Sequence, residues 1–378
     1  MIYLDNGATT FPKPESVLRA VNMGIMKYGG NPGRGGHNMA IKASEEIYKC
    51  RQAIARLYNC DSPEKVVFTN NCTTALNTVI KGILKPGDHV VVSCLEHNAV
   101  MRPLETLKKQ GISVSEAKIY PYDDEKTIDS FRKEIRDNTA LVVCIHISNV
   151  FGFVLPVERI TALCHMYEIP VCIDTAQSAG IYTIDLQKDR IDYLCGAGHK
   201  SLYGPMGTGF LIVNNDILPL PLTEGGTGSN SISLLQPEIL PDRFESGTPN
   251  LPGILGLKAG VEFVERITPK RIFNHEMRLI RNFYNISKTN NKLVFYNDFE
   301  NKTSFAPVLS INIKDIESEK TAAFLNNKYK IAVRAGLHCS PMAHKFMGTD
   351  KIGTVRIVPS IFTKTRDMEI LDYALRKI

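Results

Sequence analysis

Strand-length apolar runs alternate with helical periodicities from about residue 40 to 215, and this alternation narrows the folds open to the chain. The runs are KVVFTN (65–70), HVVVSCL (89–95), ALVVCIHI (140–147), PVCIDT (170–175), DYLCG (192–196) and GFLIV (209–213). Between several of them lie amphipathic stretches such as VERITALCHMYE (157–168), whose Ile160, Leu163, Cys164 and Tyr167 share one helical face. Apolar strands interleaved with helices predict a mainly parallel sheet, covered by helices. Ligands in such sheets bind beyond the carboxyl ends of the strands. His97, Asn149 and Asp174 all fall at such ends.

At 378 residues the chain exceeds what one core usually holds, so two domains are expected. From PNLPGILGLKAG (249–260) the pattern changes to a long helical run. Shorter strands near 306–312 and 330–334 and a terminal helix near 366–377 follow it. We therefore expect a large α/β domain over 15–250. A smaller α+β domain takes 251–378, with residues 1–14 as an N-terminal strap beside it. PLPLTEGGTGSNSIS (219–233) is the most loop-like stretch.

No apolar run approaches the roughly 20 residues that span a bilayer, and MIYLDNGATT reads as strand and turn rather than as a secretion signal. The net charge of +6 comes without any Lys/Arg block, which leaves no footprint for nucleic acid. Nine cysteines, none in a CxxC pair, form neither a disulfide framework nor a zinc site. No metal is expected, and a reducing, cytoplasmic setting is. The sequons Asn71-Cys72-Thr73 and Asn301-Lys302-Thr303 are then accidental matches.

Two segments carry the chemistry. VCIDTAQSAG (171–180) places Asp174 and Gln177 after an apolar run, and CGAGHKSLYGPMGTG (195–209) sets Lys200 between His199 and a glycine-rich turn. Pyridoxal 5'-phosphate needs a carboxylate to keep its ring nitrogen protonated and an amine to tether its aldehyde. Asp174 and Lys200 suit those tasks, with Gln177 for the phenolic oxygen. An acid at a strand end also caps turns, which is the other reading of Asp174. Phosphate favours a helix N-terminus. FTNNCTTALNTVI (68–80) offers one, with Thr73, the Cys72 amide and His199 as candidates. Asn71 would cap that helix in any case. Cys339 stands apart from the other eight thiols, in RAGLHCSP (334–341), beside Arg334 and His338. A polar, cationic loop is where a thiolate becomes available.

Taken together, YLDNGATTFPKP (3–14), NPGRGGH (31–37), LEHNAV (95–100), SNVFG (148–152), DTAQSAG, GAGHK, FESGTPN (244–250) and RAGLHCSP resemble class V aminotransferases of the cysteine desulfurase and selenocysteine lyase branch. The resemblance implies a fold-type I pyridoxal-phosphate enzyme with a mainly parallel sheet of the seven-stranded type, helices on both faces and a small C-terminal α+β domain. It implies that His97 stacks on the cofactor ring and moves protons. It also makes Arg356, in GTVRIVPS, the clamp for a substrate carboxylate, with Asn149 assisting. Arg334 is placed with these two on the substrate side. Thr248 is implied to reach the phosphate of a neighbouring subunit, hence a homodimer.

In the related desulfurases the cysteine matching Cys339 takes sulfur from L-cysteine as a persulfide, L-alanine is released, and a reductant or acceptor protein collects the sulfur. Arg34 and His37 would line the entrance, or belong to a glycine-rich connection without contact to substrate. The chain departs from the family pattern at Cys72, where Thr or Ala is commoner, at Ala197, where a Ser or Thr hydroxyl is often found, and at Val358, Pro359, Ile361 and Thr363. Three other readings stay open. A selenocysteine lyase shares every motif. Another class V reaction, such as transamination, racemisation or β-elimination, would not need Cys339. A cofactor-poor scaffold for sulfur-assembly proteins would need no chemistry at all.

Overall fold

In the computed structural model, residues 1–33, 36–229, 231–297 and 305–378 are described. Arg34 and the 301–303 sequon lie outside them. The strands in chain order are β1 (Ile2–Tyr3), β2 (Val66–Thr69), β3 (His89–Ser93), β4 (Ser113–Ala117), β5 (Thr139–Ile145), β6 (Val171–Asp174) and β7 (Tyr193–Ala197). They continue with β8 (Gly209–Val213), β9 (Leu293–Phe295), β10 (Leu309–Ile313), β11 (Ile331–Ala332), β12 (Arg334–Gly336) and β13 (Thr354–Ile357). A seven-stranded sheet has the order β2-β8-β7-β6-β5-β3-β4. β3 to β7 pair in parallel, and β8 runs antiparallel to both β7 and β2.

The two-residue alternation of the strands decides which side chain meets which layer of helices. Val91, Val142, Ile173, Leu194 and Ile212 pack on one face, with helices Asn38–Leu57, Val157–His165 and Leu251–Ile267. Val90, Val143, Cys172, Cys195 and Leu211 pack on the other, with helices Cys72–Ile83 and Asn98–Lys108. Each such aliphatic side chain removed from water contributes about 1.5–3 kcal/mol, so both faces are strongly specified. Tyr167 is a correction: the helix from Val157 ends at His165, and Tyr167 is 47% exposed beyond it. Glu168 turns the chain there with φ 59°.

A second core surrounds an antiparallel sheet of order β12-β13-β10-β9, with helix Thr365–Leu375 over it. The strand expected at 330–334 is two pieces, because β11 pairs in parallel with β1 while β12 joins β13. Helix Leu251–Ile267 follows residue 250, yet its apolar residues belong to the core of the large sheet. A Cβ on its Gly260 would lie 2.2 Å from the Leu202 carbonyl oxygen, so the absence of a side chain is what allows this close approach. Gly209 does the same service nearer the site: a Cβ there would stand 2.5 Å from the Asn71 backbone. No helix among the described residues is long and apolar enough to cross a membrane.

Candidate active site

The carboxyl ends of β3, β5 and β6 and the loop after β7 converge on one hollow, lined by Cys72, Thr73, His97, Asp174, Gln177 and Lys200 among others. Asn149 and His199 border it as well. Asp174 ends β6 and is 2% exposed. One of its oxygens, Oδ1, accepts the Ala176 amide at 2.8 Å and the Cys72 thiol at 3.4 Å. The turn-capping reading of Asp174 is therefore real, and it is compatible with a second oxygen serving a ligand.

Lys200 is half-buried, and burial of its amine holds its pKa below the ordinary lysine value, with Asp174 pulling the other way. A lowered pKa keeps a larger share of the amine neutral, which is the form that attacks a carbonyl. His97 caps helix Asn98–Lys108, its Nδ1 accepting the Ala99 amide at 3.0 Å. The ring is pushed down to about 4, by burial first, with Asp174 opposing and Lys200, Arg334 and Arg356 adding to the fall. It is thus neutral near pH 7, with its proton on Nε2. Gln177 donates from Nε2 to the Gly7 carbonyl at 3.0 Å.

Helix Cys72–Ile83 is capped by Asn71, which accepts the Thr74 amide at 2.9 Å. The Cys72 and Thr73 amides of its first turn remain for an anion. His199 Nδ1 is buried without a hydrogen-bond partner, an orphan that a bound group would satisfy. A carboxylate, a partly neutral amine, a flat neutral imidazole and a helix N-terminus fit pyridoxal phosphate as a set. Thr248 lies elsewhere, exposed on a separate hollow with Thr69 and Asn70.

Arg334 and Arg356 are cross-strand partners on β12 and β13. Two like charges opposite one another are unfavourable unless an anion lies between or beside them. Asp5 supplies one, its Oδ1 2.9 Å from Arg356 Nη2. Arg356 is 1% exposed, donates from Nη1 to the Asn149 carbonyl at 2.9 Å, and has an unpartnered Nε. Arg334 Nη2 lies 3.7 Å from Cys339 Sγ. Of the nine cysteines, Cys339 alone is exposed.

Sequence reasoning missed the strap as part of the site. Asp5 meets Arg356, and Gly7 meets Gln177. Lys13 donates to the His199 carbonyl at 2.7 Å, and Thr10 Oγ1 donates to that of Lys200 at 2.9 Å. It also missed Glu96, although this residue directly precedes His97. Glu96 is fully buried, and its Oε1 takes the Ser93 hydroxyl and the Ile145 amide at 2.8 Å. Burial pushes its pKa up to about 8, with the nearby Asp174 charge adding to the rise.

A neutral Glu96 adds no negative charge of its own near Asp174. Below the ordinary value of 4.5 both folded and unfolded chains carry the Glu96 proton. Between 4.5 and about 8 only the folded chain does, so stability falls as pH rises through that window and levels off above it. The slope is up to about 1.4 kcal/mol per pH unit. Glu96→Gln keeps the acceptor and removes the titration, so its stability measured by urea unfolding should gain on the wild type from pH 5 to 8. Parallel curves would mean that Glu96 does not carry a proton in the folded state.

The class-V aminotransferase family model matches residues 2–371. A Methanothermobacter thermautotrophicus protein named "Probable cysteine desulfurase" is 31% identical, covering 100% of this chain and 94% of its own. A Wigglesworthia glossinidia brevipalpis protein named "Cysteine desulfurase" is 30% identical, with 100% and 92% covered. Among solved structures, an apo cysteine desulfurase from Thermococcus onnurineus NA1 matches with a TM-score of 0.91 and 29% identity, over 100% of this chain and 94% of that one. The Escherichia coli cysteine desulfurase CsdA, at 24% identity and TM-score 0.88 over 99% and 94%, shares the fold.

Proposed function

Since the chain belongs to the class-V aminotransferase family, we propose that it is a pyridoxal-phosphate-dependent cysteine desulfurase that converts L-cysteine to L-alanine and leaves the sulfur on Cys339. One observation carries the choice of reaction. The single exposed thiol of nine has Arg334 Nη2 3.7 Å from its sulfur, and the neighbouring His338 is hydrogen-bonded to Asn149, which lines the hollow with Lys200 and Asp174.

Lys200, Asp174 and Gln177 would hold the cofactor's aldehyde, ring nitrogen and phenolic oxygen, with Thr73, the Cys72 amide and His199 near the phosphate. Bound there, the cofactor supplies an electron sink for charge left at the substrate's α-carbon. Arg356, aided by Arg334, draws the substrate carboxylate to the paired cations. Lys200 Nζ would remove the α-proton in its neutral form, and His97 Nε2, neutral at pH 7, would exchange protons within the same hollow. The Cys339 thiolate forms an S–S bond to the substrate sulfur as the Cβ–S bond breaks. The bonding pair stays with Cβ, which takes up a proton, and alanine departs. Exposure of Cys339 leaves the new persulfide within reach of a reductant or an acceptor protein. Thr248, exposed and away from Lys200, is suited to the site of a second copy in a homodimer. A cytoplasmic setting fits these reduced thiols.

The test is incubation of the cofactor-loaded protein with L-cysteine. Alanine should appear together with one added sulfur on the peptide holding Cys339, read by mass spectrometry. Alanine without that mass gain, or no alanine, would overturn the proposal.

A further inference from the structure

Asn149 has its polar atoms committed to the nucleophile's own turn. Its Nδ2 donates to the His338 carbonyl at 2.9 Å, and its Oδ1 accepts the Ser340 hydroxyl at 2.6 Å. The residue between them is Cys339, whose carbonyl accepts the Asn98 amide at 2.8 Å. Three successive residues are therefore held, two of them by one side chain.

We infer that Asn149 is the positioning residue for the Cys339 nucleophile, a clasp that fixes its turn from both flanks. His338 and Cys339 both adopt left-handed backbone, with φ 52° and 58°. Two consecutive non-glycine residues stay there only when their surroundings over-determine the conformation. Ser340 is fully buried and Asn149 nearly so, which keeps water from competing for either bond. The Cys339 side chain, in contrast, is exposed, with Arg334 Nη2 3.7 Å from its sulfur. The direction of its Cα–Cβ bond comes from the backbone that Asn149 holds.

The clasp also ties two tasks together. The Asn149 carbonyl accepts Arg356 Nη1 at 2.9 Å. One residue in the turn after β5 thus sets the register between the guanidinium of Arg356 and the thiol of Cys339. The kinetic part of this inference rests on the desulfurase reading, and the structural part does not.

Asn149→Asp preserves shape but places an acceptor where His338 needs a donor, and Ser340→Ala removes the other arm of the clasp. In Asn149→Asp, amide hydrogen exchange at 338–341 should speed up at least about tenfold, the worth of one such bond. Amides of β5 should be unchanged. In the cofactor-loaded enzyme kcat for cysteine should fall about 10²-fold, as expected for a misplaced reacting group, with KM within about threefold. Ser340→Ala, which has no place on a carboxylate, should show the same split in weaker form. Unchanged loop exchange in both variants, or a KM raised tenfold with kcat retained, would overturn the clasp. A wild type that gains no sulfur at Cys339 would sink the desulfurase reading, and the exchange measurement would still decide the clasp.

Discussion

Cys339→Ser should lose turnover of L-cysteine by on the order of 10³-fold while folding as the wild type does. The side chain is exposed and contributes to none of the three cores, so stability has little reason to change. A serine hydroxyl has nearly the same shape and keeps the turn that Asn149 and Asn98 hold. What disappears is a polarisable sulfur able to form an S–S bond. The other eight thiols are buried or half-buried, and burial pushes Cys94 up to about 11 and Cys164 to about 12. Neither is a source of thiolate near neutral pH. The check is alanine release with both cysteine and selenocysteine as substrates. Loss with cysteine and retention with selenocysteine would favour a lyase acting on the heavier chalcogen. Retention with both would make Cys339 a bystander and shift the reading to another class V reaction.

The large sheet was legible because its strands are apolar on both faces, a signal that needs no context. Six of its seven strands coincide with the apolar runs. The seventh, β4, was not legible: Ser113–Ala117 reads SVSEA, an edge strand with polar residues and one well-covered side. The ends of β3, β5 and β6 fall as expected because strand ends follow from where apolar runs stop. Contacts across hundreds of residues left no such trace. Asp5 meets Arg356 and Asn149 meets His338 only after the small sheet has been placed against the large one. Asn149 shows the limit well, since its type and location were found and its bonding partners were not.

The other large effect is expected from Lys200→Ala. Wild-type protein loaded with pyridoxal phosphate should be labelled by borohydride on the peptide holding Lys200, and the variant should carry no label. Turnover should fall by at least on the order of 10³-fold, because the tether and the nearest base are one amine. Labelling at another lysine is the result to watch for. Lys13 is the natural rival, its pKa lowered to about 8 by burial and its amine 2.7 Å from the His199 carbonyl. Label found there would move the centre of the site to the strap.

The same substitution has a second signature that requires no cofactor. A lysine whose folded pKa lies below the ordinary value of 10.5 holds fewer protons than in the unfolded chain. Wild-type stability therefore declines as pH falls from 10.5 toward the folded value, and stays lower beneath it. Lys200→Ala removes that decline, so the inactive protein should be the more stable one at pH 7, by urea midpoint, with the difference vanishing toward pH 11. An amine that burial holds below its ordinary pKa is thus kept at the expense of stability, which is what a group retained for chemistry looks like. An alanine variant less stable than wild type across the whole pH range would point instead to a structural lysine paired with Asp174.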